Sequence, residues 1–375
     1  MPSPELERAV AVVDVGAVER NCARLARELE RGAELCAVVK GDGYGHGAVE
    51  CARAAVAGGA TALGVATATE AAELRAELVD ATVLVLGALT PSELDVALEA
   101  RGEIAVWTPR FLELLERRAA EHGLRPRVHV KYDTGMGRLG ERDADAVAAL
   151  VRAAAASDRV ELAGFWTHFA TADELDSEFF GEQLERFRAL AEPLKDEYPE
   201  LVLHAANSAA TLRDAASHFD MVRCGIAVYG LDPFGEDPVA RELEPALALH
   251  SNVADVKRFR AGDSAGYGRT WRAESDTWVG VLPIGYGDGV RRALGNNADV
   301  LVAGRRYPLV GTVSMDNVTI DLGADTDVAP WTPATLIGAQ GAERILCEEV
   351  ARRLDTINYE VTCGISARVP REYTR

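Results

Sequence analysis

Lys40 ends a short apolar run, Leu35-Cys36-Ala37-Val38-Val39, and a loop carrying Gly41, Gly43, Gly45 and Gly47 follows it. An amine delivered to the C-terminal end of a buried parallel strand, with glycine freeing the backbone around it, is placed to meet a carbonyl or an anion. The chain has four lysines against thirty-six arginines, so a lysine in this place asks for more than a charge. The alternative is a strand-end lysine whose stem covers apolar surface while its head reaches water.

Comparable positions further along carry Lys131 with Arg138 seven residues on, His168, Asn207-Ser208, and Arg223 with Gly225-Ile226. Ser208 opens a helical segment and Gly225-Ile226 exposes bare amides; both suit a phosphate, although Ser208 reads equally well as an ordinary helix cap. A phosphate, a carbonyl for Lys40 and an arginine across the rim together suggest pyridoxal 5'-phosphate held as a Schiff base on Lys40.

Those residues need elements that bring them to one rim. Apolar β-rich runs at 34–40, 62–66, 82–86, 104–107, 128–131, 160–166, 201–204 and 221–224 alternate with helical patterns such as 92–100, 109–122, 142–156 and 179–194. Eight strands with helices between them predict an α/β fold, an N-terminal (β/α)8 TIM-like barrel spanning 10–240, with chemistry at the strands' C-terminal ends. An open doubly wound sheet competes, but no G-x-G-x-x-G follows a first strand. Beyond 241 the pattern becomes short strands at 251–259, 278–283, 299–302, 307–310, 317–322 and 334–337, with one helix at 342–354. That predicts a mainly β C-terminal domain, 241–375, joined by the N-terminal strand within 1–15.

The totals fit a two-domain globular enzyme. A net charge of −19 argues against nucleic acid or an anionic membrane as partner. No membrane span or signal-like start is visible, and six scattered cysteines without a C-x-x-C pair suit free thiols in a reducing cytoplasm better than disulfides or a metal site.

Val38-Val39-Lys40-Gly41-Asp42-Gly43-Tyr44-Gly45-His46-Gly47 resembles the cofactor-attachment signature of the alanine racemases. The likeness continues through Lys131-Tyr132-Asp133-Thr134-Gly135-Met136-Gly137-Arg138, Thr167-His168-Phe169 and Arg223-Cys224-Gly225-Ile226. In the second domain it resumes at Gly266-Tyr267-Gly268-Arg269, Gly285-Tyr286-Gly287-Asp288, Ser314-Met315-Asp316-Asn317 and Asn358-Tyr359-Glu360.

Racemising an amino acid requires a base on each face of the α-carbon. The resemblance implies Lys40 for the D-enantiomer and Tyr267 for L-alanine, with His168 and Arg223 helping the phenol lose its proton. It implies phosphate contacts from Tyr44, Ser208, Gly225, Ile226 and Tyr359, and substrate carboxylate contacts from Arg138 and the Met315 amide. Lys131 would carry a carbamate that fixes Arg138, Tyr286 and Asp316 would line or support the entrance, and His46 would be structural. It also implies a homodimer with composite sites, Tyr267 coming from the partner, and a role supplying D-alanine for peptidoglycan. Arginine cannot accept a proton, so Arg223 facing the pyridine nitrogen would leave that ring unprotonated, which suits racemisation over transamination. Gly41 and Gly43 stand where the family more often has alanine, and Ser314 where many members have cysteine. A racemase of other or broader substrate choice, a non-catalytic pyridoxal-phosphate carrier and a barrel decarboxylase are the rival readings. The second domain with its tyrosine counts against the carrier, and Arg223 against the decarboxylase.

Overall fold

Eight short apolar runs pair as the parallel strands of a closed barrel: Glu34–Val38, Ala62–Val65, Thr82–Val85, Glu103–Val106, Arg127–Lys131, Glu161–Trp166, Val202–His204 and Met221–Cys224. The last pairs back onto the first, with Cys36 opposite Arg223. This is the (β/α)8 architecture expected from the alternation of runs. The computed structural model describes residues 7–30, 32–77 and 81–375, so the first six residues of the expected N-terminal strand lie outside the described ones.

Local chemistry sets the helix starts. Thr90 and Glu93 form a capping box ahead of Pro91. Thr108 Oγ1 accepts from the Phe111 amide at 3.2 Å, and Asp143 Oδ1 from the Ala146 amide at 2.8 Å. Each such cap satisfies an otherwise orphaned donor and contributes ~1 kcal/mol. Strands two and four carry buried residues throughout, whereas the fifth alternates Arg127-Val128-His129-Val130-Lys131, and its His129 and Lys131 are nonetheless buried.

The chain divides into two compact units, Val18–Val228 and a second made of the residues up to Ala17 with Tyr229–Arg375. Residues 229–240, which the sequence pattern groups with the barrel, pack in the second unit: the Ala246 amide bonds the Tyr229 carbonyl, and Arg241 pairs with buried Asp232 at 2.7 Å. That unit is built on one large sheet. From one edge its order is Asp255–Phe259, Thr277–Leu282, Val318–Gly323, Arg305–Val310, Ala298–Val302, Pro333–Gln340, Leu247–Asn252, Ala9–Asp14 and Arg371–Thr374. All neighbours along it are antiparallel except the last pair, where Ala11 lies opposite Arg371.

Several boundaries differ from the sequence pattern. Strand one stops at Val38, and Lys40 opens a helical turn, because the glycine loop takes left-handed backbone immediately. The run 251–259 divides into Leu247–Asn252 and Asp255–Phe259, since Val253 exchanges backbone bonds with Trp331 and Thr332. The helix expected at 342–354 starts only at Cys347. The Gly341 turn folds Glu343–Ile345 back on Pro333–Gln340, and a second short helix, Asn358–Cys363, has no counterpart in the pattern. No helix among the described residues is long and apolar enough to cross a membrane.

Candidate active site

The turn after the first barrel strand is left-handed over four residues: φ is +63° at Gly41, +52° at Asp42, +61° at Gly43 and +53° at Tyr44. Each non-glycine residue in that conformation costs roughly 1–2 kcal/mol, so glycine at two of the four positions makes the turn accessible. Two carboxylates pin it: Glu70 Oε1 accepts from the Gly41 amide at 2.7 Å and Asp42 Oδ1 from the Ala48 amide at 3.0 Å. The start of this turn places Lys40 at the C-terminal end of the strand, half-buried.

Arg223, on the eighth strand, is 3% exposed. Its NH2 nitrogen donates to the Thr167 carbonyl at 2.7 Å, the Ala205 carbonyl at 3.1 Å and His168 Nδ1 at 3.3 Å, and its NH1 nitrogen to His204 Nδ1 at 3.1 Å. All these contacts use the two terminal nitrogens; among the described residues none uses Nε. Burial pulls the Arg223 guanidinium down to about 10. The Lys131 amine is 2% exposed and comes down to about 7, first through burial, then through Arg223 and Arg138. No carboxylate among the described residues lies within ion-pair distance of it, and Arg138 itself is exposed. His168 is held well below the ordinary imidazole value by burial, then by Arg223, Arg138, Lys131 and Lys40. One rim of the barrel therefore gathers Lys40, Arg138 and Arg223 around a weakly basic Lys131 and a neutral histidine, an environment that favours an anionic ligand.

Opposite Arg223's neighbours lies a cradle of small groups. Ser208 Oγ, buried, accepts from the Gly225 amide at 2.9 Å and the Ala227 amide at 3.4 Å. The cap of the helix Ser208–Arg213 is Asn207, whose Oδ1 accepts from the Ala210 amide, so Ser208 is not the helix cap. The Tyr44 hydroxyl comes so close to Gly225 that a Cβ there would lie 2.4 Å from it. Tyr44, Ser208, Gly225 and Ile226 thus meet in one place.

The remaining residues singled out in the sequence sit on the β unit. Tyr267 occupies the turn Tyr267–Arg269 between Gly266 (φ +69°) and Gly268, its carbonyl accepting from Thr312 Oγ1 at 2.8 Å, and 71% of its surface is exposed. Gly285 packs directly on the Ser314 and Met315 carbonyls; the Tyr286 amide donates to Ser314 at 3.0 Å and the Gly287 amide to Met315 at 2.9 Å. That brings Tyr286 and Met315 side by side, both exposed, with Asp316 held by Arg368 at 2.6 Å. Tyr359 lies half-buried on the helix Asn358–Cys363.

Three residues of the barrel set carry no mark in the linear motifs. Trp166 lies under both Lys131 Nζ (4.2 Å to the ring centre) and Arg223 Cζ (4.7 Å), and His204 and His129 stand behind Arg223. The signal that could have found His129 is the polar alternation of the fifth strand, unusual for a barrel run.

The family described as alanine racemase, N-terminal domain, matches residues 13–233, and that described as alanine racemase, C-terminal domain, matches 246–373. The chain belongs to the alanine racemase family. It is 40% identical to alanine racemase 1 of Bacillus subtilis over 365 residues, 97% of this chain and 92% of that one. Its fold is similar to the crystal structure of alanine racemase from D-cycloserine producing Streptomyces lavendulae, with a TM-score of 0.93 at 37% identity, covering 98% of this chain and 97% of that one. It is also similar to the crystal structure of alanine racemase from Bacillus anthracis with bound L-Ala-P, with a TM-score of 0.90 at 37% identity, covering 100% and 96%. Alanine racemases use pyridoxal phosphate. The barrel of this alanine racemase family member fits that group: among the described residues Arg223 spends its hydrogen bonds through its two terminal nitrogens, which leaves Nε for a ligand atom, and a side-chain-free Gly225 lies under Tyr44 beside Ser208.

Proposed function

We propose that this protein is a pyridoxal-phosphate-dependent alanine racemase, an isomerase that interconverts L- and D-alanine and supplies D-alanine for peptidoglycan, acting in the cytoplasm as a homodimer. The observation that carries the reading is Arg223, a buried guanidinium fixed through both terminal nitrogens; facing the cofactor's ring it would take the place of the carboxylate that serves transamination or decarboxylation. The L-Ala-P bound to the Bacillus anthracis relative supports alanine as substrate.

When bound, the cofactor supplies the electron sink that makes an amino acid's α-proton removable. Lys40 holds it through its amine and serves as the base for D-alanine. Tyr44, Ser208, Gly225, Ile226 and Tyr359 would hold the phosphate, and Arg223 would partner the pyridine nitrogen. Arg138 and the Met315 amide orient the substrate carboxylate, and Tyr286 and Asp316 shape the entrance. Tyr267 is the base for L-alanine. A phenol with an ordinary pKa near 10 needs cationic help to work at neutral pH. Because Arg223 donates to His168 Nδ1, the His168 proton sits on Nε2 and is available to a phenolate.

Tyr267 is 71% exposed, and Met315 and Tyr286 of the same unit are 51% and 44% exposed. Aromatic and thioether groups displayed in this way suit a partner's cover, so Tyr267 serves the barrel of the other subunit. Lys131, buried without a carboxylate, gains one as a carbamate and then pairs with Arg138.

The test is α-proton exchange and racemisation of both alanine enantiomers in heavy water, wild type beside Tyr267→Phe. The expected result is exchange from both enantiomers in wild type, and a loss of roughly 10²–10⁴-fold in the variant, greatest from L-alanine. Wild type that binds cofactor yet exchanges no proton from alanine overturns the reading.

A further inference from the structure

Behind Arg223, on the side away from the cofactor's cradle, a chain of buried polar side chains runs through the inside of the barrel. Arg223 NH1 donates to His204 Nδ1 at 3.1 Å, His204 Nε2 lies 2.9 Å from His129 Nδ1, and His129 Nε2 lies 2.6 Å from Glu103 Oε2. Arg127 closes the chain, its NH1 donating to Glu103 Oε1 at 2.5 Å. These residues belong to the eighth, seventh, fifth and fourth strands; the sixth is crossed at Gly164. A Cβ on Gly164 would lie 2.0 Å from His129 Nδ1, so only glycine lets the His129 ring reach over that strand to His204.

The ends of this chain dictate where its protons sit. A guanidinium only donates, so His204 Nδ1 must present a lone pair and the His204 proton must be on Nε2. That proton points at His129 Nδ1, which must therefore also be a lone pair, leaving the His129 proton on Nε2, where Glu103 accepts it. A His129 charged on both nitrogens would leave His204 Nε2 as an acceptor too, which a neutral ring facing Arg223 cannot provide. Every donor points from Arg223 toward Glu103. The carboxylate end is ionised: burial pushes Glu103 up, and the hydrogen bonds from His129 and Arg127 with the charge of Arg127 hold it below the usual range. Arg101, Arg125 and Arg127 line a pocket of about 260 Å³ at this end, adding to the cationic field.

We propose that Glu103 and His129 are positioning residues that act on Arg223 from the N-terminal end of the barrel, fixing the tautomer of His204 so that a lone pair always faces the guanidinium. Without an acceptor at Glu103, His129 is free to hold its proton on Nδ1. His204 then turns its own proton onto Nδ1, and two donors face each other at Arg223. The guanidinium shifts, and the Nε–H that serves the cofactor's ring nitrogen shifts with it. This inference rests on the proposed role of Arg223 only in that last step.

Glutamine is the discriminating substitution. Its carbonyl can still accept from His129 while its amide turns to Arg127, which is 44% exposed and can pair with Glu161 or water instead. Leucine offers no acceptor.

The experiment is long-range ¹⁵N–¹H correlation on full-length protein labelled at its seven histidines, before and after loading with pyridoxal phosphate, together with cofactor titration and a separation of KM from kcat for alanine. In wild type, His129 and His204 are expected as neutral rings protonated on Nε2, before and after loading. Glu103→Leu is expected to lose that pattern, to weaken cofactor binding about tenfold and to lower kcat with little change in KM. Glu103→Gln restores all three. Should Glu103→Leu not fold, Gly164→Ala displaces the same ring and is expected to give the same signature. A His204 proton on Nδ1 or a doubly protonated His129 in the wild-type spectrum overturns the inference without any variant. So does Glu103→Leu that folds with wild-type tautomers and cofactor affinity. If the protein took no cofactor, the tautomers before loading would still decide this inference separately from the proposed function.

Discussion

Lys131 Nζ lies 4.2 Å from the centre of the Trp166 ring, with Arg223 over the same ring and no carboxylate among the described residues within ion-pair reach. An aromatic face compensates a cation only partly for lost water, and burial with two arginines brings the amine down to about 7. A neutral amine in a cationic pocket is nucleophilic toward carbon dioxide, and the product is an anion that the pocket favours. Protein equilibrated with ¹³C-bicarbonate is expected to show a carbamate resonance that Lys131→Ala lacks; wild type without that resonance would rule the modification out.

The same amine has a stability signature. Its folded value lies below its unfolded one, so between about pH 10 and 7 the unfolded chain binds the extra proton and stability falls as pH falls. Below about 7 both states are charged and the cost is constant. In buffer free of carbon dioxide, Lys131→Met is expected to be more stable than wild type by about 1–3 kcal/mol at pH 6, the difference shrinking toward pH 10. Denaturant midpoints across that range check it.

Tyr267 on an exposed turn and Lys40 on the barrel give a mixing test of the proposed dimer. Lys40→Ala and Tyr267→Phe are each expected to be inactive. Unfolded and refolded together, they form hybrids with one intact composite site each, restoring about a quarter of wild-type activity. If both residues of one site came from the same chain, every hybrid site would be defective and nothing would return.

Ser208 Oγ serves two backbone amides, and Ser208→Ala leaves them without that acceptor. The variant is expected to lose about 1–3 kcal/mol of stability in the absence of cofactor and to bind pyridoxal phosphate more weakly. Ser208→Thr, which keeps the oxygen, is expected to recover much of the binding. Cofactor titrations on the three proteins decide it.

Asp288 is fully buried, paired in two-pronged fashion with Arg8 at 2.6 and 2.9 Å, and it accepts from the Gly285 amide that starts the Tyr286 turn. Burial raises its carboxyl; the hydrogen bonds from Arg8 and Gly285 outweigh that and hold it below the usual range. A depressed carboxylate contributes stability that is present above its unfolded value, about 3.9, and lost as pH falls through the folded one. Arg8→Gln is expected to move acid unfolding to higher pH, because burial then acts on Asp288 with less opposition. An unchanged acid midpoint would show that the pair contributes nothing.

The barrel was legible because its strands are short apolar runs with helices between them, and its rim because Lys40, Lys131, His168 and Arg223 stand at or just past strand ends. The turn after Lys40 was legible as glycine-rich but not as left-handed, and its geometry accounts for Gly41 and Gly43 where alanine is more usual. Glu343–Ile345 hid inside a helical pattern because the two-residue turn at Gly341 was outweighed by the acidic and basic residues after it. Glu103, His129 and His204 were invisible for another reason. Each is an ordinary residue in its own strand, and only the parallel pairing of the fourth to seventh strands, with Gly164 between, brings them into one hydrogen-bonded line.

The strand Ala9–Asp14 lies between Leu247–Asn252 and Arg371–Thr374 in the second sheet, so it must wait for partners made more than two hundred residues later. The barrel, Val18–Val228, has all its partners once residue 228 has emerged. Synthesis therefore imposes an order: an uninterrupted barrel can close early, while a six-residue apolar segment ahead of it stays an unpaired edge until Leu247–Asn252 and Arg371–Thr374 have been made. During that interval the nascent chain is at its most vulnerable to chaperone capture or self-association, and slow passage through codons 250–370 would lengthen it.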